Sequence, residues 1–473
     1  MKIYLVLDKT EPKMVVAVSE EAEKEKSWPQ VIAILTASLV GFTSGYLYAW
    51  PSPFLLKISQ DNVTYNISEE QASYFAVCHS LGMLVLPILI SPVVNIFGRK
   101  KTLLIAELPM VTSLLMKAFV TDVWLLYLAR FLAGSADAIV FAGLPVYIGE
   151  VSTPKVRGIW GNSFIIAVFT GQFIINVVGS YCSVADTSYI GLVIPVLFPF
   201  LFYFVPESPY YLIMRGKEEE ARQSLRFLRG KQHVQVELDA LITSVKEEMQ
   251  LKGSWADLIK IKANRKALIA GLFLRTSQLL TGVYVFMSYT QFIFEKAGGS
   301  ISYQTSAIIY TGLTVFMYLC SAYASKLIGR RKAYMSSLLL AGIIVLSEAV
   351  YFYIDSVYTY IDLEPIKWFP LVGMLSFVVV SSFGVGIIPT LMLGELFATS
   401  VKSKGISLLT VAFAANIIIT NNIFYYFNSY TGLYGPFFLF GACNMLFTVL
   451  AYFIVPETKG KTLEEIQETL KNM

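Results

Sequence analysis

Charged side chains are rare inside the apolar runs of this 473-residue chain, so the few present mark where polar work is done. Arg130, Gly134 and Asp137 fall at i, i+4 and i+7, on one stripe of a helix. Helical rise separates the two charges by about 10 Å, so each requires a partner on another helix. Two readings of Arg130 stand, a structural brace and a contact to a bound molecule; Asp137 divides in the same way between packing polarity and function. A later run carries Thr276, Ser277, Gln278, Tyr284, Ser288, Tyr289 and Gln291, and the eleventh adds Asn416, Thr420, Asn421 and Asn422. Hydroxyls and amides beside rings suit an uncharged polyol, whose oxygens need hydrogen bonds and whose C–H faces stack on aromatics. Elsewhere Glu150 is followed seven residues on by Arg157, and Glu395 by Lys402 at the same step. No nucleotide loop, nucleophile motif or metal-ligand cluster occurs. The four cysteines and the two histidines, His79 and His233, lack the spacing of a metal site or a disulfide framework. The sequence therefore offers no catalytic residue, no metal site and no cofactor.

The elements that must position these groups follow from composition. The chain is 55% hydrophobic and 15% charged, with a mean hydropathy of +0.61, well outside the range of soluble domains. Twelve apolar runs are long enough to cross a bilayer: 29–50, 72–95, 102–120, 123–149, 158–182, 188–205, 266–293, 304–327, 333–354, 366–394, 405–428 and 434–455. Bundled helices alone satisfy the backbone there, so an all-α membrane protein with twelve transmembrane helices is expected. Most of the 37 Lys and Arg fall in the tails and in alternate loops, leaving Lys57, Lys117, Lys296 and Lys367 on the opposite side. Basic residues stay cytoplasmic, so both tails are assigned to the cytosol. The net charge of +4 reflects that asymmetry and gives no sign of nucleic-acid binding. Two glycosylation triplets, at Asn62 and Asn66, fall in the longest outer loop.

The chain divides into a tail over 1–27, a six-helix bundle over 28–205, a cytoplasmic linker over 206–265, a second bundle over 266–455 and a tail over 456–473. In the linker, 218–229 and 236–249 read as amphipathic helices, the second burying Leu238, Leu241, Ile242, Val245 and Met249. Glu107, Arg275 and Glu348 read as side chains reaching toward the membrane rim. Pro51 and Pro53 are expected to break the outer end of the first helix, and Gly384, Gly386 and Pro389 to bend the tenth.

The two bundles repeat one another. Gly98-Arg99-Lys100 after the second run returns as Gly329-Arg330-Arg331 after the eighth, and Pro206-Glu207-Ser208-Pro209 returns as Pro456-Glu457-Thr458. With Pro145 to Glu150, Arg157-Gly158 and Glu395-Leu396-Phe397, these motifs identify the chain as resembling the sugar porter family of the major facilitator superfamily, and within it insect facilitated trehalose transporter-like proteins. The resemblance covers about 28–467. It implies two pseudo-symmetric six-helix bundles that bind a sugar between them and expose it to either side in turn. Carried over, Arg99, Glu150, Arg157, Arg330, Glu395 and Lys402 form a cytoplasmic latch, with Glu207 and Glu457 beside it. Asn95 and Lys326 stand where the family has Asp, Lys402 where it has Arg, and Tyr210 replaces the Arg after the P-E-S-P motif. In the sugar site Leu279, Tyr284, Ser288, Ile165 and Thr390 replace family residues, whereas Gln278, Tyr289, Gln172, Asn176, Asn416 and Thr420 remain; these six with Tyr284, Ser288 and Thr390 are the nine expected sugar contacts. The implied function is facilitative transport of trehalose or a hexose such as glucose across the plasma membrane, the lipid bilayer being the other partner. Two alternatives stay open: a proton-coupled symporter, kept alive by Asp137 and His79, and a non-transporting sugar sensor.

Overall fold

The computed structural model describes residues 3–4, 17–18, 26–85, 96–250, 253–324, 329–358, 360–398, 400–461 and 463–472. Asn95 and Lys326 lie outside them. Apart from a two-residue antiparallel ladder between Ile3–Tyr4 and Ala17–Val18, the regular structure is helical.

The first half comprises α1 (Trp28–Tyr48), α2 (Pro51–Gln60), α3 (Glu69–Val85), α4 (Arg99–Phe119), α5 (Val123–Val151), α6 (Pro154–Trp160), α7 (Ser163–Tyr181) and α8 (Val184–Tyr203). The linker carries α9 (Pro209–Met214), α10 (Glu218–Arg229), α11 (Gln235–Gln250) and α12 (Asp257–Lys260). The second half holds α13 (Lys262–Leu280), α14 (Val283–Ser288), α15 (Thr290–Ala297), α16 (Tyr303–Ala324), α17 (Arg330–Val357), α18 (Phe369–Phe383), α19 (Ile388–Leu396), α20 (Lys402–Thr431) and α21 (Tyr434–Ile454), and α22 (Leu463–Asn472) closes the chain. Among the described residues nine helical stretches are long and apolar enough to cross a membrane. The other three predicted runs fall on α3, on α16 and on the broken series α13 to α15.

Local chemistry sets the starts and breaks. Ser68 and Gln71 form a reciprocal box at the head of α3, each backbone N–H meeting the other's side-chain oxygen at 3.0 and 3.2 Å. Asp122 caps α5 by accepting from the N–H groups of Trp124 and Leu125 at 2.9 and 3.1 Å. The prolines after Trp50 do not end the first span. Pro51 opens α2, because a first turn leaves its N–H groups unpaired and loses nothing by lacking one. The tenth span breaks between α18 and α19, around Gly384 and Gly386. The seventh breaks at Gly282, whose φ of +95° suits glycine.

Small residues bring the helices of the first half backbone to backbone. A Cβ on Gly134 of α5 would sit 1.7 Å from the His79 carbonyl of α3, and one on Gly82 of α3 would sit 2.2 Å from that of Phe131. Gly45 and Gly171 do the same between α1 and α7, at 1.8 Å from Val168 O and 2.0 Å from Phe42 O.

The linker divides between the halves. Arg229 donates to the Val151 carbonyl at the end of α5 at 3.1 Å and pairs with Glu237 at 2.6 Å. Ser224 donates to the Glu207 carbonyl at 2.7 Å. Leu238 and Val245 are buried on α11, Leu241 and Ile242 are half-buried, and Met249, expected inside, is 53% exposed because it lies at the helix end beyond the packed face. From Gly253 onward the linker belongs to the second half: Lys404 donates to the Gly253 carbonyl at 2.7 Å. There α22 buries Ile466 and Leu470, and Gln467 donates to Leu396 O at 2.6 Å.

Gly134→Val should lower the thermal unfolding midpoint in detergent, by the equivalent of about 1–3 kcal/mol for an overpacked contact. Gly149→Ala, with nothing within 4 Å of its Cβ position, should leave the midpoint unchanged. Equal midpoints for the two variants would refute the backbone contact.

Candidate functional site

At the end of the bundle that the sequence assigns to the cytosol, each half builds the same cluster from its repeated motifs. In the first, Arg99 holds the Glu150 carboxylate through Nε at 2.9 Å and Nη2 at 2.8 Å. Ser208 also donates to Glu150. Glu207 accepts from the N–H groups of Arg99 at 3.1 Å, Lys100 at 3.0 Å and Ser208 at 2.9 Å, so a carboxylate sits on the positive end of α4. Burial pushes the Glu207 carboxyl up, and the Ser208 and Lys100 N–H bonds oppose that shift. Arg99 lies 5.2 Å from the centroid of the Tyr211 ring, a cation–π distance.

The second half repeats the arrangement. Glu457 accepts from the N–H of Arg330 at 2.9 Å and of Arg331 at 3.2 Å, and Thr458 donates to Glu395 at 2.5 Å. The Arg330–Glu395 pair is longer, at 3.7 Å, and its side chains are 17% and 31% exposed against 5% and 14% for Arg99 and Glu150. Each of these carboxylate clusters lies within its own half. Arg157, expected in the latch, is exposed at the rim, and Lys402 is half-buried at the start of α20. Trp160 and Ile159 beside Arg157 are 36% and 50% exposed.

The outer side is sealed by contacts between the halves. The hydroxyls of Tyr74 and Tyr426 meet at 2.9 Å, and Tyr289 donates to the Ser73 carbonyl at 3.3 Å. Gln291 Nε2 donates to Ser180 at 2.9 Å and to Asn176 at 3.5 Å, and the Gln291 backbone N–H donates to the Ser52 hydroxyl at 3.3 Å. Lys296 and Glu69 stand 3.8 Å apart farther out. Among the described residues, these contacts join the halves at this end, whereas the Arg99–Glu150 and Arg330–Glu395 pairs at the other end each lie inside one half.

The interior charges find distinct settings. Arg130 donates to the carbonyls of Phe75 at 2.9 Å, of Tyr48 at 3.4 Å and of Leu47. Asp137 accepts from Ser44 at 2.5 Å and meets His79 Nε2 at 2.9 Å. Arg275 does not reach the membrane rim, because α13 points it inward. It is 9% exposed, donates to Gln278 at 2.9 Å and Thr390 at 3.4 Å, and lies 4.7 Å from the Phe413 ring centroid. Glu107 and Glu348 are also buried rather than at the rim, at 3% and 1% exposure.

A small cavity lies between the halves, lined by Phe169 and Gln172 of α7 and, from the second half, by Tyr310, Thr314, Tyr318, Ser381 and Ser382 together with the apolar Val283, Met287, Phe377 and Val378. The side-chain amide oxygen of Gln172 has no hydrogen-bond partner there. Of the nine expected contacts, Gln172 alone lines this cavity. Gln278 is engaged by Arg275 and by the Val385 and Gly386 carbonyls at 3.1 and 3.3 Å. Thr390 is exposed beside it, and Asn416 donates to Thr276 at 3.4 Å. Tyr284 stacks edge-on with Tyr48 and Phe413. Asn176 and Tyr289 belong to the outer seal, Ser288 is buried near it, and Thr420 donates to the Asn416 carbonyl at 2.9 Å. The sequence expectation missed Tyr310, Thr314 and Tyr318, whose i, i+4, i+8 spacing in the eighth run is the signal that would have found them.

The sequence matches the family described as Sugar (and other) transporter over residues 32–470. The facilitated trehalose transporter Tret1 of Culex quinquefasciatus is 31% identical over 460 residues, covering 96% of this chain and 88% of that protein. Tret1 of Aedes aegypti is 31% identical over 452 residues, 94% of this chain, which spans only 55% of that relative's length. Among solved structures, the xylose transporter XylE from E. coli in an inward-open conformation superposes with a TM-score of 0.75 at 19% identity, over 92% of this chain and 98% of that one. The proton:xylose symporter XylE bound to 6-bromo-6-deoxy-D-glucose gives 0.74 at 20% identity, over 94% and 100%. At that identity the likeness is one of fold.

Glu150→Gln should destabilise the protein more than Glu395→Gln, since it strands the buried Arg99 at a cost of about 3–5 kcal/mol, against about 0–1 kcal/mol for a more exposed pair. Thermal unfolding of both variants in one detergent checks this, and equal midpoints would contradict it.

Proposed function

Because the chain belongs to the sugar transporter family and is a multi-pass membrane protein, we propose that it is a facilitative carrier for a neutral sugar, trehalose or a hexose such as glucose. The halves alternate in exposing the sugar to each side of the plasma membrane. The observation that carries this reading is the pairing of a seal across the halves at one end with rim clusters held inside each half at the other, around a small, mainly apolar, ring-lined cavity that offers a few polar groups. A sugar's hydroxyls find Gln172, Tyr310, Thr314 and Tyr318 there, and its C–H faces find Phe169. Thr390, Asn416, Tyr284 and Gln278 flank the path on the cytoplasmic side, while Asn176, Ser288, Tyr289 and Thr420 serve its outer closure. The two rim clusters, with Arg157 and Lys402, latch together when the inner side closes. Both termini are cytoplasmic.

Asn62 and Asn66 are exposed on an outer loop that Asp61 shapes by accepting from the N–H groups of Val63 and Thr64 at 3.2 and 2.9 Å. The Thr64 N–H, the larger influence, helps hold the Asp61 carboxyl below its usual range. We assign both asparagines as glycan acceptors. Endoglycosidase treatment should reduce the apparent mass of protein from a eukaryotic membrane, and the Asn62→Gln/Asn66→Gln double variant should show no such change.

Purified protein in liposomes should exchange labelled trehalose or glucose for unlabelled sugar, at a rate that a protonophore leaves unchanged. Gln172→Ala should raise the half-saturating concentration about 2- to 13-fold, the loss of one hydrogen bond of about 0.5–1.5 kcal/mol. Binding without exchange would instead identify a sensor, and collapse of uptake with the protonophore would identify a symporter.

A further inference from the structure

The carrier reading leaves one buried titratable cluster without a role. His79 of α3, Asp137 of α5 and Ser44 of α1 meet in the core of the first half, where His79 and Asp137 are both 0% exposed. Gly134, one turn before Asp137, admits the α3 backbone at His79 itself. With the carboxylate ionised, its two contacts require donors, the Ser44 hydroxyl and His79 Nε2–H. That assignment leaves Nδ1 of the ring as the bare nitrogen, and it has no hydrogen-bond partner.

We propose that His79 is a proton-binding site that sets the balance between this outer-closed arrangement and an outward-open one, an inference that rests on the carrier reading of the two halves. A proton arriving at the ring goes to Nδ1 and creates a buried N–H with no acceptor. The ionisable groups nearest the ring are Arg130 of α5, Lys117 of α4 and Asp137, whose carboxyl group meets it at Nε2. Cys78 precedes it on α3. Tyr48 of α1 lies edge-on at 5.3 Å between ring centroids. Tyr48 in turn meets Tyr284 of α14 at 6.3 Å, so the imidazole is one ring removed from the contact between the halves. A proton that this arrangement holds poorly is held better by one that opens the ring to water, and linkage makes acid shift the population toward the latter. Acid therefore favours opening of the outer seal, because an imidazole that gains access to water takes up a proton more readily.

The experiment places spin labels at Gln60→Cys and Tyr360→Cys, both exposed on the outer side of opposite halves, with the four native cysteines replaced by serine. Labels are attached at neutral pH, and distance distributions are recorded in liposomes at pH 8 and pH 5. The long-distance population should grow about threefold or more on acidification, and His79→Gln should abolish the change. His79→Phe, which keeps an edge-on ring for Tyr48, repeats the test if the glutamine variant does not fold. A pH-independent distribution, or the same acid response in the His79 variants, would overturn the proposal, as would a response that only Asp137→Asn removes. Sugar exchange by the same vesicles at neutral pH reports separately on the carrier reading: its absence would remove that reading while the distance data still decide whether His79 binds the proton.

Discussion

Each helix break inside a bilayer frees carbonyls that no water reaches, and the satisfaction of those carbonyls organises this molecule. Between α1 and α2 the freed oxygens of Leu47 and Tyr48 are taken by Arg130. Between α18 and α19 those of Val385 and Gly386 are taken by the Gln278 amide. At the end of α7, Lys57 caps Gly179, Ser180 and Cys182. The chain thus keeps two of its discontinuous helices, which give a bundle its polar interior, by stationing one long donor opposite the break. Arg130 acts as the brace of the two sequence readings: its guanidinium points at carbonyls from two helices, with the Trp50 ring 5.8 Å away.

The same economy of donors explains the duplicated rim. A helix that begins with Gly-Arg exposes N–H groups at its head, and the P-E-S/T turn supplies a carboxylate for them. The hydroxyl that follows reaches the acid at the end of the neighbouring long helix, Glu150 or Glu395, which also holds the motif's arginine. Three motifs far apart in sequence become one unit in each half. The halves differ in strength, not in design: the first cluster is shorter and better buried.

Much of the architecture was legible because its signals are local. Apolar length marked the spans, and the repeat of Gly-Arg with Pro-Glu marked the two halves. The site was less legible, because lining a cavity depends on how helices rotate against one another. Arg275 shows why. By sequence it is a charge near a membrane surface; in the fold it turns inward against Phe413 and takes up Gln278, one of the residues the sequence set aside for sugar. Conversely, Tyr310 and Tyr318 read as ordinary bilayer aromatics, and only the approach of α16 to α7 turns them toward Gln172.

That approach also bears on how the halves can move. On the outer side they are joined mostly by single hydrogen bonds between neutral groups, as at Tyr74–Tyr426 and Gln291–Ser180. Each such bond contributes only about 0.5–1.5 kcal/mol net, so the seal can open without breaking a buried ion pair. At the centre, Phe169 and Tyr318 stack with centroids 4.0 Å apart, a contact that tolerates sliding because it has no donor to misalign. The strong interactions, Arg99 with Glu150 and Asp137 with His79 and Ser44, are all internal to one half. Rigid halves with a weakly bonded seam are what alternating access requires. Among the described residues, the buried ion pairs lie inside the halves, and apart from the exposed Lys296–Glu69 pair the bonds named between the halves are neutral, a division suited to the proposed movement.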